Sequence, residues 1–183
     1  MSGLLLLLFL GGASVTQALR YERAAVVDGQ WWRLVTGQLV HGDAAHLAWN
    51  VFGIVIVWGL FAREYRLAGW GWVLLVSTTV IGAGFLLFEP QLEWYVGFSG
   101  VLHGAMAAGL VAWLRTARDP LTVLVAVLFA AKLAWEHTHG ALPFTSASLS
   151  LPVVHQAHTY GALGGTLAAL CLRPAGRSAG ASL

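Results

Sequence analysis

The stretch Gly97-Phe98-Ser99-Gly100-Val101-Leu102-His103-Gly104 places a hydroxyl between glycines at the head of an apolar segment that runs to Leu114. A serine there has two readings. It can be an N-cap for the helix that follows. It can also be a nucleophile whose neighbouring backbone N–H groups, at the positive end of a helix dipole, face a developing oxyanion. The second reading needs a base and further oxyanion donors. His155 and His158 stand three residues apart on one face of the last apolar run, and either is a candidate base. His46 and Asn50 stand four apart on another run, one above the other, and side-chain donors of that kind can hold a carbonyl oxygen as it becomes negative. Gly161 and Gly165 continue the His158 face as G-x-x-x-G, which permits close approach to a neighbouring helix.

The elements that must position these groups are membrane spans. The chain has 183 residues, 58% hydrophobic and only 10% charged. Its mean hydropathy is +0.73. A soluble domain carries about 25% charged residues, so this is the composition of an all-α polytopic membrane protein. The net charge of +2 argues against a nucleic-acid partner. The single cysteine, Cys171, can form no intrachain disulfide and reads as a small packing residue. Nine tryptophans suit interfacial belts. Six spans are expected, at about 3–19, 44–62, 69–87, 99–114, 121–135 and 152–172, with a polar tail 173–183, as one membrane domain over 1–183. Residues 136–151 read as a polar loop.

Six spans put both termini on one side. Arg63, Arg66, Arg115, Arg118, Arg173 and Arg177 fall on that face, which the positive-inside rule makes cytoplasmic. Ser99, His46, Asn50 and His158 then lie at one depth, below the outer surface, on three separate spans. Polar groups at membrane depth are costly, and four at one level are hard to explain as packing alone. No carboxylate is available at this depth in spans 2, 4 or 6, so a Ser-His dyad is expected rather than a triad. Lys132, near the outer end of span 5, is expected to snorkel outward and meet Glu136, a structural role.

Together Gly97-Phe98-Ser99-Gly100, Ala157-His158-Thr159-Tyr160-Gly161 with Gly165, His46-x-x-x-Asn50 and the pair Trp32-Arg33 resemble the rhomboid intramembrane serine proteases, in order, over residues 31–165. The resemblance implies a six-transmembrane-helix rhomboid-like bundle. It makes Ser99 the nucleophile and His158 the general base. His46, Asn50 and the Ser99 backbone N–H form the oxyanion hole, Trp32-Arg33 stabilise the first loop, and 136–151 becomes a cap over the site. No cofactor or metal is implied. Rhomboids commonly carry tyrosine four residues after the serine, stacked on the catalytic histidine; here that position is His103. The Ser-Gly-Val-Leu-His-Gly form in a minimal chain resembles the rhombosortase branch. That implies a bacterial inner-membrane enzyme opening to the periplasm, whose partners are the lipid bilayer and proteins ending in a Gly-Gly motif, a span and a basic tail.

Other histidines have plainer readings. His41 is expected at the interface. His137 and His139 form an H-x-H with no evident third metal ligand. Two rival functions remain: a non-catalytic rhomboid-like protein that binds membrane clients, and a small transporter or metal channel. The first would need a lost serine or histidine. The second would need acidic or cysteine ligands within the spans.

Overall fold

The computed structural model describes residues 1–143 and 152–175 and is mostly helical. In chain order the helices are α1 Ser2–Leu10, α2 Gly12–Leu19, α3 Arg23–Val27, α4 Arg33–Thr36, α5 Ala44–Phe61, α6 Leu67–Phe88, α7 Ser99–Thr116, α8 Pro120–His139 and α9 Gln156–Leu170. Two short strands, β1 Tyr21–Glu22 and β2 Trp94–Tyr95, pair antiparallel with Tyr21 opposite Tyr95. This pairing ties the first loop to the segment just ahead of Ser99.

Among the described residues three single helices are long and apolar enough to cross a membrane: α5, α6 and α8. Their outward faces are strongly apolar. Trp49, Phe52, Val55 and Trp58 on α5, and Leu121, Leu124, Val127 and Leu128 on α8, are exposed. Such surface is stable only against lipid or another protein. α7 and α9 are inner helices. Ten of the 18 residues of α7 are buried, and many of them are Gly or Ala. A helix enclosed by other helices gains from small residues that let backbones approach, so its own hydropathy is modest. Gly161 on α9 lies against the Gly100 carbonyl of α7, and Gly165 against the Gly104 carbonyl, so a Cβ at either glycine would collide with backbone. This is the close approach that the G-x-x-x-G spacing anticipates.

The first apolar run departs from expectation. It is not one helix over 3–19 but two, meeting at 114°. Gly12 sits at φ +75°, a left-handed conformation that glycine takes at no steric cost. The nine residues of α1 rise only about 14 Å, half of a hydrocarbon core. The fifth span also differs. It continues through Glu136 to His139 and stops at Gly140, at φ +81°, so Glu136 belongs to the helix rather than to a loop. Of the anticipated cap and tail, residues 144–151 and 176–183 lie outside the described residues. Cys171, read as a packing residue, is exposed at the end of α9.

Candidate active site

Ser99 is the first residue of α7, and the capping position belongs to Phe98, with no side-chain cap bond. The serine hydroxyl is therefore not used as a cap. Its Oγ lies 3.0 Å from Nε2 of His158, which is buried on α9. Of the two candidate bases it is His158, not His155, that meets the serine; His155 is the N-cap residue of α9.

Gly97 makes the elbow into the helix. Its φ of +122° favours glycine, and a Cβ there would stand 2.6 Å from Nε2 of His46. The imidazole of His46 thus rests on the bare Cα of Gly97, two residues from the serine. The elbow is pinned twice. The buried hydroxyl of Tyr95 donates to the Gly97 carbonyl at 2.7 Å, and the Gly97 N–H donates to the Gly37 carbonyl of the first loop at 3.2 Å. Burial pushes the Tyr95 hydroxyl up to about 12, so it stays protonated and donating. The glycine and the histidine were legible in the sequence. Tyr95 was missed, because a tyrosine ending a loop carries no distinguishing signal.

On α5, Asp43 caps the helix by accepting from the His46 N–H at 2.7 Å. Asn50 is buried and donates through Nδ2 to the His46 carbonyl at 2.9 Å. His46, Asn50, Ser99, His103 and His158 all line one cleft of about 930 Å³, bounded by α5 on one side and α8 on the other. The first backbone N–H groups of α7 lack intrahelical acceptors by construction, so the arrangement offers amide, imidazole and backbone donors around one serine.

His103 stacks on His158, ring centroids 4.0 Å apart and planes 14° from parallel. Arg33 is buried and organises the first loop. It donates to the carbonyls of Gln17 at 3.0 Å and Arg20 at 2.9 Å and to Gln30 Oε1 at 2.7 Å. Trp32 beside it is exposed. His41, expected at the interface, is enclosed by protein. It is 1% exposed and packs edge-on against His46, and burial lowers it from 6.5 to about 4.

Lys132 and Glu136 correct the sequence reading. Lys132 does meet Glu136, at 2.6 Å, but it turns inward, with its Nζ also reaching His103 and His158. Glu136 Oε2 lies 2.9 Å from Nδ1 of His158. A carboxylate is therefore present at this depth, supplied by the helix that the loop assignment had cut short. The signals were Gly140 as a helix stop and the i, i+4 spacing of Lys132 and Glu136. His103, Glu136 and His158 also form the one cluster among the described residues with metal-ligand geometry, and its centre is where the Lys132 ammonium sits.

Residues 28–175 match the Rhomboid domain family. The chain belongs to the rhomboid family. Over 105 residues, 54% of this chain, it is 30% identical to 20% of the length of Rhomboid protease GluP of Bacillus subtilis (strain 168). Over 83 residues, 43% of this chain, it is 37% identical to 40% of the length of Putative rhomboid protease YdcA of the same organism. The chain thus spans less than half the length of these relatives. No solved structure matches. Within this rhomboid domain, Ser99 and His158 face each other across α7 and α9, the pairing that the glycine contacts allow.

Proposed function

We propose that this rhomboid is an intramembrane serine endopeptidase, with Ser99 as nucleophile and His158 as general base. The observation that carries this is the 3.0 Å contact of Ser99 Oγ with His158 Nε2 at the foot of a cleft between α5 and α8. A substrate span enters laterally between those helices and unwinds at small residues. Ser99 Oγ attacks the exposed carbonyl carbon while His158 Nε2 takes the hydroxyl proton. Negative charge on the carbonyl oxygen is held by His46, Asn50 and the Ser99 backbone N–H. His158 then gives its proton to the leaving amine, and the C–N bond breaks to leave an acyl-serine. Water from the outer side adds to that ester, its proton passing to His158 and on to Ser99 as the C–O bond breaks.

With the bent α1–α2 pair taken as one crossing, α7 and α9 complete the six-span bundle as inner crossings, in a bacterial inner membrane with the site opening to the periplasm and the arginine-rich turns in the cytoplasm. The substrates are proteins with a C-terminal Gly-Gly motif, a span and a basic tail. Glycine favours the extended backbone that a nucleophile needs and weakens the helix around it. His103 at the stacking position supports this rhombosortase-like reading. The other reading within the family is a protease of general single-span substrates.

The test is co-expression with a tagged Gly-Gly-tailed substrate beside a general rhomboid substrate. Wild type, Ser99→Ala and His158→Ala are compared. Cleavage of the Gly-Gly tail alone, lost in both variants, is expected. Cleavage of the general substrate alone would remove the narrower specificity, and cleavage by Ser99→Ala would remove the mechanism.

A further inference from the structure

The proposed hydrolysis needs a lone pair on Nε2 of His158 facing the serine hydroxyl. A neutral imidazole has two tautomers, and only the one with its proton on Nδ1 meets that need. Two groups approach Nδ1 and demand opposite states. Glu136 Oε2, at 2.9 Å, can only accept, so it calls for Nδ1–H. Lys132 Nζ, at 3.1 Å, can only donate, so it calls for a bare Nδ1 and a useless Nε2–H.

The conflict is resolved around a ring of contacts that begins and ends at Ser99. The Ser99 backbone carbonyl can only accept, and Nδ1 of His103 lies 2.7 Å from it. His103 must therefore carry its proton on Nδ1 and present a lone pair on Nε2. Lys132 donates to that lone pair at 2.5 Å. A second Lys132 N–H goes to Glu136 Oε2 at 2.6 Å. With two of the three ammonium N–H bonds directed to these shorter contacts and the third turned away from the ring, the same Glu136 oxygen accepts from His158 Nδ1–H. Nε2 of His158 is then the acceptor for the Ser99 hydroxyl at 3.0 Å. In this order each donor of the ring faces an acceptor, and the longest of the three Lys132 contacts, that to His158, is the one left unused. Glu136 is 2% exposed and the two imidazoles are stacked, so neither water nor ring rotation competes freely with this order.

We infer that Glu136, Lys132 and His103 are positioning residues that fix the tautomer of His158, so that the serine and its base work with a carboxylate from α8 rather than as a bare pair. The inference rests on the serine-protease reading above. Before reaction the ammonium balances the carboxylate. Once His158 takes the serine proton, the carboxylate stands against the imidazolium.

The test uses the full-length protein in detergent micelles and a fluorophosphonate probe that phosphonylates the active serine. Rates at saturating probe and probe affinities are measured for wild type, Glu136→Gln, Glu136→Asp, Lys132→Met and Lys132→Arg. Glutamine can turn an N–H toward Nδ1 and so favour the unproductive tautomer. Its saturating rate is expected to fall by about 10²-fold or more, with affinity nearly unchanged, as when a triad carboxylate is made an amide. Glu136→Asp and Lys132→Arg are expected to retain more rate than Glu136→Gln and Lys132→Met. In parallel, ¹⁵N spectra of imidazole-labelled protein, with the His158 signal assigned by its loss in His158→Ala, are expected to show the proton on Nδ1 in the wild type. A wild-type rate for Glu136→Gln would overturn the inference, as would a wild-type His158 protonated on Nε2. If Glu136→Gln does not fold, the wild-type tautomer decides alone. If the wild type does not react with the probe, the protease reading fails, while the spectrum still reads the ring by itself.

Discussion

Replacing Gly97 by alanine should disable the proposed oxyanion site through His46 while leaving the bundle folded. The added Cβ would lie 2.5 Å from Cε1 and 2.6 Å from Nε2 of that ring. Ordinary contact begins at 3.4 Å, so the ring must retreat by about 0.9 Å, and a misplacement of about 1 Å in a group that acts on the substrate costs roughly 10²-fold in rate. Outright loss of one oxyanion donor costs about 10²–10³-fold, so the two estimates agree. His41, edge-on to His46, limits the directions in which the ring can move. A separate cost falls on stability, because alanine at φ +122° is strained by about 1–3 kcal/mol. The assay is the saturating rate of fluorophosphonate labelling at Ser99, since the phosphoryl oxygen of the probe occupies the oxyanion position. Gly97→Ala, His46→Ala and the double variant are compared. If the glycine acts through the ring, the double variant reacts no more slowly than His46→Ala alone. Wild-type reactivity in Gly97→Ala, or losses that multiply in the double variant, would refute the reasoning.

Three other perturbations have equally definite outcomes. Gly161→Ala puts a Cβ against the Gly100 carbonyl, so α9 must move away from α7 and carry His158 from Ser99; both the unfolding midpoint and serine labelling should fall, whereas Gly3→Ala, which meets nothing, should change neither. Arg33→Lys keeps the charge but cannot reproduce the fork to Gln17, Arg20 and Gln30, and should cost about 1–3 kcal/mol, read as a lower unfolding midpoint and faster proteolysis of the first loop. His41, buried beside His46 and Asp43, has its value lowered to about 4 by desolvation, so the unfolded chain takes up its proton below about 6.5 while the folded one does not. Its contribution is complete above pH 6.5 and is lost as pH falls toward 4, about 3 kcal/mol in all; the fall in unfolding midpoint between those pH values should flatten in His41→Phe.

The parts of the site that the sequence discloses are those whose chemistry is local. Ser99 beside Gly97 and Gly100 declares a helix start with room for a nucleophile. His46 and Asn50, or His158 with Gly161 and Gly165, share a face because 3.6 residues make a turn. The helices α5, α6 and α7 follow from apolar runs closed by charged turns, and their ends fall within two residues of expectation. What stayed hidden depends on tertiary geometry. Hydropathy falls at Glu136, so the apolar run ends there, yet the buried carboxylate has partners in Lys132 on its own helix and His158 on α9, and the helix goes on for another turn. A long cation near a span end usually snorkels to the surface; here the stem points inward because two acceptors, His103 Nε2 and Glu136 Oε2, wait at its tip. The 114° bend at Gly11-Gly12 was likewise invisible to hydropathy, which counts apolar residues but not the direction of the chain. His41 looked interfacial from its position in a loop, and only the packing of that loop onto α5 buries it.

Lys132 and Glu136 also separate stability from activity. Carrying two charges to this depth costs several kcal/mol per ion, and their mutual attraction repays it only when every remaining donor and acceptor is matched. Replacing a buried ion pair by apolar residues of similar volume is often neutral or stabilising by about 1–4 kcal/mol, whereas removing one partner leaves an uncompensated charge. The double variant Lys132→Met with Glu136→Leu should therefore melt at or above the wild-type temperature in detergent. It should still label at Ser99 far more slowly, because nothing then holds the proton of His158 on Nδ1. Lys132→Met alone should be the least stable of the three, since it strands Glu136 beside two neutral imidazoles. If the double variant is both stable and fully reactive, the pair contributes nothing to the chemistry. If it is as unstable as the single variant, the pair is a packing device, and the position of the carboxylate against His158 is a by-product of holding α8 to the inner helices.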